Sequence, residues 1–134
     1  MTKDQIKKIR IEILCDGQPA LQLFLHKDGT MERYGSGSIP IKEDFVLGLI
    51  DKKIFEQLLS NFDEKLLDNQ GIYDHNDKAG IPINYSLIFL GQEPNFISYE
   101  FRLGTETKKV TPLLTYIDKF VNDAVSLTDE WYKK

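Results

Sequence analysis

Cysteine and histidine are the scarcest reactive side chains in this 134-residue sequence, which holds one cysteine and two histidines. Cys15 has no second cysteine with which to form an intramolecular disulfide, so the chain is not a disulfide-stapled scaffold. Structural zinc sites are usually completed by four Cys or His ligands, and Cys15, His26 and His75 are too few. Neither a disulfide nor a zinc site is therefore expected.

Long apolar runs are also missing. No stretch approaches the roughly 20 apolar residues that a membrane-spanning helix needs. Met1 is followed by the polar residues 2–5 and not by the apolar core of a signal peptide. We therefore expect no membrane association, and we predict a cytoplasmic protein.

Positive charge is in deficit. Lysine and arginine number 17 against 21 aspartates and glutamates, which gives a net charge of −4 and a pI near 5.2. The basic residues are scattered or paired and form no basic stripe in the sequence, so nucleic acid is not an expected partner. With 41% hydrophobic and 28% charged residues, the composition predicts one globular domain over residues 1–134.

The common catalytic motifs are absent as well. Ser36 and Ser38 alternate with glycines, but Pro40 follows in place of the helix that a nucleophile elbow or a phosphate loop requires. Strand alternation sends Cys15 to the core face and His26 to the outer face, which separates the only thiol from that imidazole. No catalytic residue, cofactor or metal is predicted, and no motif is specific enough to indicate a family.

What the sequence does contain is strand periodicity. Apolar residues alternate with polar ones on both sides of an interruption at residues 91–95, a pattern that predicts a hairpin covering a core on one face. We expect this hairpin to be the centre of an antiparallel sheet. Its inward row would be Ile81, Ile83, Tyr85, Leu87 and Phe89, followed by Ile97, Tyr99, Phe101 and Leu103.

Two further strands are predicted before residue 27. Ile11 and Ile13 can lie opposite leucines only if the first connection has an odd number of residues, so a loop of three or five is expected. The next turn contains Asp28-Gly29, which suits a two-residue type I′ hairpin. That register places Phe24, His26, Met31 and Arg33 together on the outer face. Residues 45–50 predict a short fourth strand.

Two helices complete the pattern. Apolar residues recur every three or four positions from Ile54 to Leu66, with Asp51 as N-cap, and a break near Asn61 into a second short helix is the alternative. Pro112 opens the other helix, whose apolar face includes Ile117 and Phe120. The predicted fold is an α+β domain, with an antiparallel sheet of about five to six strands and both helices packed on one face, in the order β-β-β-β-α-β-β-α.

One acidic segment is the main functional candidate. It spans residues 63–77, where the acids are Asp63, Glu64, Asp68, Asp74 and Asp77, and His75 is a further candidate binding residue. Acids near a helix C-terminus oppose the helix dipole, so they add no obvious stability there. A basic protein partner would complement them. The first hypothesis is therefore a non-catalytic protein-protein interaction or inhibitor-type module with an acidic binding surface, and a solvated polar face is the alternative explanation for the same residues.

A second hypothesis uses the loop at residues 73–77. Tyr73, Asp74, His75 and Asp77 bring together side chains that can bind a small ligand or a metal or perform acid-base chemistry. An EF-hand is excluded because, counting from Asp74, its glycine position holds Ala79. A third hypothesis is a homodimer formed through the outer sheet face, which has no predicted partner within the chain.

Overall fold

Seven strands and three α-helices form in the computed structural model of this chain, which describes residues 2–37, 41, 45–49, 52–74, 80–91, 94–103 and 112–132. A 3-10 turn at Lys3–Gln5 precedes the first strand. The strands are β1 (Lys8–Cys15), β2 (Gln18–His26), β3 (Thr30–Tyr34), β4 (Phe45–Leu49), β5 (Gly71–Asp74), β6 (Ile81–Leu90) and β7 (Pro94–Leu103). The helices are α1 (Lys52–Ser60), α2 (Lys65–Asp68) and α3 (Pro112–Tyr132).

The strands form one mixed sheet in the order β4-β3-β2-β1-β6-β7-β5. The predicted α+β class is confirmed, but β1 lies at the middle of the sheet, between β2 and β6, where the β6–β7 hairpin was expected. Strand β5 was expected to be part of a loop. It pairs with β7 in parallel, whereas the other neighbouring pairs are antiparallel.

The helices cover one face of the sheet, here called the inner face, as predicted. Side chains from β6, the α1–α2 turn and α3 meet there in a cluster of three phenylalanines, Phe62, Phe89 and Phe120. Their ring centroids are 5.2 to 5.5 Å apart in edge-to-face geometry, an arrangement that adds to the stabilisation from burial. The opposite sheet face is called the outer face below.

The first hairpin forms the predicted residue pairs, but its connection is shorter than predicted and one strand contains a β-bulge. Ile11 pairs with Leu23 and Ile13 with Leu21, as expected, yet the connection has only two residues, Asp16 and Gly17. Both have positive φ angles, 52° and 77°, as a type I′ turn requires. A β-bulge after Ile13 restores the parity, because the buried Ala20 is the extra residue.

The second hairpin differs from the prediction in the opposite sense. Its connection has three residues, Lys27 to Gly29, and only Gly29 has a positive φ angle. Such a loop shifts the register by one residue, and a one-residue shift exchanges the two faces of a strand. Leu25 therefore pairs with Met31 and Leu23 with Arg33, and the predicted outer-face positions of Met31 and Arg33 are wrong.

Arg33 is fully buried on the inner face, and its hydrogen bonds connect β3 to α3. Its guanidinium donates to Thr128 Oγ1 at 2.8 Å and to Asp129 Oδ1 at 2.9 Å. It also donates to the carbonyl oxygens of Gly35, Ser36 and Val125. A buried arginine is tolerated only when its charge and its donors are satisfied in this way.

Helix α1 ends at Ser60, so the predicted alternative of a break near Asn61 is the one that forms. The N–H of Lys65 donates to Asp63 Oδ1 at 3.0 Å, which is the hydrogen bond of an Asx turn directly before the short helix α2. Leu66 and Leu67 of α2 are buried. Helix α3 begins at Pro112, as predicted, and buries Leu114, Ile117, Phe120, Val121, Ala124 and Thr128.

Gly35 is expected to tolerate substitution poorly. Its φ angle is +86°, and a Cβ atom added there would collide with the carbonyl oxygen of Ala20. Gly17, at φ +77°, has open space around it and isolates the cost of the backbone angle alone. Gly17→Ala should cost about 1–2 kcal/mol and Gly35→Ala clearly more, measured by urea unfolding. Equal losses would contradict the close contact with Ala20.

Candidate functional site

A cleft opens where the α1–α2 turn meets α3, and it is called the helical cleft here. Its volume is about 410 Å³, and it is lined by residues 60–64 together with Tyr116, Lys119 and Phe120. Two of the predicted binding residues, Asp63 and Glu64, are among those lining residues. The helical cleft therefore brings carboxylates next to aromatic rings.

The local sequence explains this geometry. Phe62 is 6% exposed and packs against Phe89 and Phe120, which fixes the turn on the core. The N–H of Phe62 donates to the Leu59 carbonyl, and the Asp63 carbonyl accepts from Leu66. Because Phe62 points inward, the next two residues, Asp63 and Glu64, follow it at the rim.

A lysine already interacts with the aromatic wall of the helical cleft. Lys65 Nζ donates to the Tyr116 hydroxyl at 2.8 Å and lies 5.0 Å from the centre of the Tyr116 ring. The hydrogen bond to Tyr116, followed by the charges of Tyr116 and Asp63, raises the pKa of Lys65. On α3, the Lys119 Nζ atom lies 3.9 Å from Oδ2 of Asp123. Tyr116 and Asp63 thus form a place that suits an ammonium group.

Among the other predicted binding residues, the structure describes Asp68 and the backbone of Asp74. Asp68 is exposed at the end of α2. Asp74 ends β5, where its backbone pairs with Glu100. His75 and Asp77 lie outside the described residues. Of the predicted binding residues that the structure describes, Asp63 and Glu64 share the helical cleft.

The first two residues of the predicted 73–77 loop belong to β5, and the Tyr73 side chain is held by a ring contact and a hydrogen bond. Tyr73 stacks on Tyr99 with ring centroids 6.0 Å apart, and its hydroxyl donates to the Asn69 carbonyl at 2.8 Å. Among the residues with described side chains, no three of His, Cys, Asp or Glu come together as metal ligands. A ligand or metal site that uses His75 and Asp77 remains a prediction of the sequence.

Cys15 and His26 are separated as the alternation predicted. Cys15 is partly buried against the core, and this burial raises the pKa of its thiol. A raised thiol pKa does not favour a thiolate nucleophile. His26 lies at the other end of β1, where its backbone pairs with Lys8.

Tyr85 is a further residue with a shifted pKa. Burial and the Asp118 carboxylate, which accepts a hydrogen bond from the Tyr85 hydroxyl at 3.1 Å, both raise this pKa.

A second cleft, here called the lysine cleft, was not found by sequence reasoning. It measures about 560 Å³ and is lined by residues 7–8, residues 26–28, Lys52 and Glu56. The pairs Lys7-Lys8 and Lys52-Lys53 are visible in the sequence, but their proximity is a product of the fold. The Thr30 N–H donates to Asp28 Oδ1 at 2.9 Å, and this bond, with smaller effects of His26 and Lys52, lowers the pKa of Asp28.

Three apolar side chains and one arginine form a row on the outer face, across four neighbouring strands. Phe24, Arg10, Ile88 and Phe96 lie side by side, and the Arg10 guanidinium sits 5.3 Å from the centre of the Phe24 ring. Phe96 is 36% exposed. This row agrees with the predicted outer position of Phe24.

A polar row runs beside it. Gln22 Nε2 donates to Glu12 at 3.2 Å, and Asn84 Nδ2 donates to Ser98 Oγ at 3.0 Å. Ser86 Oγ donates to the Asn84 side-chain oxygen. The described part of the chain places its helices only on the inner face, so the predicted homodimer through the outer face stays a prediction.

The helices in the described ranges are too short or too polar to cross a bilayer. A scan against protein-family models and a search of curated proteins found no match to this chain.

Proposed function

We propose that this domain is a non-catalytic protein-interaction or inhibitor-type module whose helical cleft receives a basic side chain of a protein partner. One observation carries the proposal: Asp63 and Glu64 line the same cleft as Tyr116, whose hydroxyl already accepts a hydrogen bond from the ammonium group of Lys65. A lysine or arginine of the partner would take the place of this internal cation.

The chemistry of the rim supports a cationic occupant. A cation over a tyrosine ring is worth about 0.5–2 kcal/mol, depending on how well it is desolvated. Hydrogen bonds between a guanidinium and a carboxylate are stronger than neutral ones. Glu64 is exposed, so it is free to reorient toward an incoming charge.

The wider charge distribution supports rapid capture of such a partner. Asp68 lies one turn beyond Glu64 and is exposed. The chain as a whole has a net charge of −4. Acidic groups around a docking cleft raise the association rate for a basic surface, and they do so less as salt increases.

Neutralising the acidic residues should weaken partner binding without unfolding the domain. The test variant is Asp63→Asn/Glu64→Gln/Asp68→Asn, in which the amide oxygen introduced at position 63 can still accept from the Lys65 N–H. We expect the association rate of a protein captured from the source-cell lysate to fall about tenfold. Surface plasmon resonance at low and at physiological salt measures this rate.

A matched control removes the same number of charges elsewhere. Asp4, Asp16 and Glu56 are exposed and lie outside the helical cleft, so Asp4→Asn/Asp16→Asn/Glu56→Gln should leave the association rate within about twofold of the parent. If the two variants bind alike, general charge and not the helical cleft governs capture, and the assignment of this surface is wrong.

A further inference from the structure

The lysine cleft joins three segments that are distant in the sequence. Residues 7–8 are at the start of β1, residues 26–28 span the end of β2 and the β2–β3 turn, and Lys52 and Glu56 belong to the first turns of α1. Backbone hydrogen bonds hold the first two together: the Lys27 N–H donates to the Lys7 carbonyl at 2.8 Å, and the Lys7 N–H donates to Leu90. The lysine positions are therefore set by the sheet and by α1.

Positive charge predominates in this cleft, although the chain is acidic overall. Four lysines line it against two carboxylates, those of Asp28 and Glu56. None of these four lysines forms an ion pair or a side-chain hydrogen bond with another described residue. The two carboxylates offset only part of this positive charge, and an anion bound among the lysines would offset the remainder.

The start of α1 adds to this field. Lys52 and Lys53 occupy its first turn, which contains no acidic residue. The N-terminus of a helix carries a partial positive charge, so lysines at this end are unfavourable for the helix itself. An anion near the Lys52 ammonium group would offset part of this cost.

We propose that the lysine cleft binds a compact, multiply charged oxyanion of the phosphate class, such as a short polyphosphate or a phosphate ester. Lysine ammonium groups bind phosphate as point charges. The volume of about 560 Å³ lies in the range of small-molecule sites. Among the described residues that line the cleft there is no Phe, Tyr or Trp, and His26 contributes the one ring, so the cleft lacks the large aromatic platform of single-strand binding proteins.

The first probe is sodium tripolyphosphate, titrated into the full chain by isothermal calorimetry at constant ionic strength. Lys7→Gln/Lys27→Gln should weaken binding at least about tenfold, because each glutamine keeps much of the length of the side chain but loses the charge. Lys7→Arg/Lys27→Arg should restore most of the affinity. Thermal melts of both variants verify folding, and both positions are exposed.

The matched control is Lys65→Gln/Lys119→Gln, which removes two exposed lysines near the helical cleft. Its affinity for tripolyphosphate should stay within about twofold of the parent. Equal weakening in the two glutamine variants would mean that net charge alone attracts the anion, and it would overturn the proposal. Absence of heat at millimolar tripolyphosphate would overturn it as well.

Further titrations identify the source of the phosphate group. Tighter binding of a sugar phosphate than of tripolyphosphate would assign the cleft to a phosphorylated metabolite, and the reverse order would assign it to polyphosphate. Both results support a compact phosphate ligand. A single-stranded hexanucleotide that binds more tightly than either, and loses affinity in Lys7→Gln/Lys27→Gln, would overturn the ligand class.

Discussion

Arg33→Ala is expected to lower the free energy of unfolding by about 3–5 kcal/mol, because it removes a fully buried side chain and leaves several hydrogen-bond acceptors around it without a donor. The substitution leaves Thr128 Oγ1 and the carbonyl oxygens of Gly35, Ser36 and Val125 without their guanidinium donor. It also opens a cavity between β3 and α3. Since small domains are stable by only about 5–15 kcal/mol, urea unfolding followed by circular dichroism will resolve the loss readily.

The neighbouring residue provides the control and a direct test of register. Glu32 pairs with Phe24 on the outer face, so Glu32→Ala should change stability by no more than about 0.5–1 kcal/mol. In the register expected from a two-residue turn, Glu32 would face inward and Arg33 outward. A large loss for Glu32→Ala with a small loss for Arg33→Ala would therefore show that the three-residue turn is incorrect. Arg33→Lys, which keeps the charge but not the fork of donors, should fall between the two.

Phe89→Ala is expected to cost about 3–5 kcal/mol. Phe89 is fully buried at the centre of the three-phenylalanine cluster, with Phe62 at 5.2 Å and Phe120 at 5.5 Å. Truncation removes both ring contacts and leaves a cavity between β6 and the helices. The same chemical denaturation measures the change, and Phe89→Leu, which retains much of the volume, should lose less than about 1.5 kcal/mol.

Phe96→Ala is the matched control for this truncation. Phe96 is on the neighbouring strand β7, points to the outer face and is 36% exposed. Because water already reaches part of its ring, we expect a loss of about 1 kcal/mol. Equal losses at positions 89 and 96 would mean that the outer face is covered in solution, which would favour a partner on that face over a free surface.

Turn chemistry shows where prediction from the sequence succeeded in kind and failed in detail. The chain has two Asp-Gly pairs, Asp16-Gly17 and Asp28-Gly29, and both occur in hairpin connections. The first forms the two-residue turn with two positive φ angles, and the second lies in a three-residue loop with one. The same dipeptide suits both loops, so the lengths were assigned the wrong way round and Arg33 was placed on the wrong face.

One of the two candidate clefts contains residues that the sequence had indicated, and the other was missed. Asp63 and Glu64 were identified as acids near a helix C-terminus, but the break near Asn61 places them directly before α2, so that premise was wrong. At a helix start, acidic residues suit the helix dipole. The lysine cleft was missed because its members come from three segments, and each segment by itself contains only one or two lysines. Pairing of β1 with both β2 and β6, and the position of α1, determine that these segments meet.

By itself, the sequence determined the types of the main elements, which are the alternating strands of the hairpins and the amphipathic helices. It also determined that the helices cover one side of the sheet. The spacing of buried residues along a strand or helix is a local property, so it can be recognised without knowing which element packs against it. Tertiary structure alone decided that β5 is a strand, that β1 is central, and that Arg33 faces inward to meet Thr128 and Asp129. These features depend on register and on pairings between distant segments, where a shift of one residue exchanges the faces of a strand while leaving its local pattern unchanged.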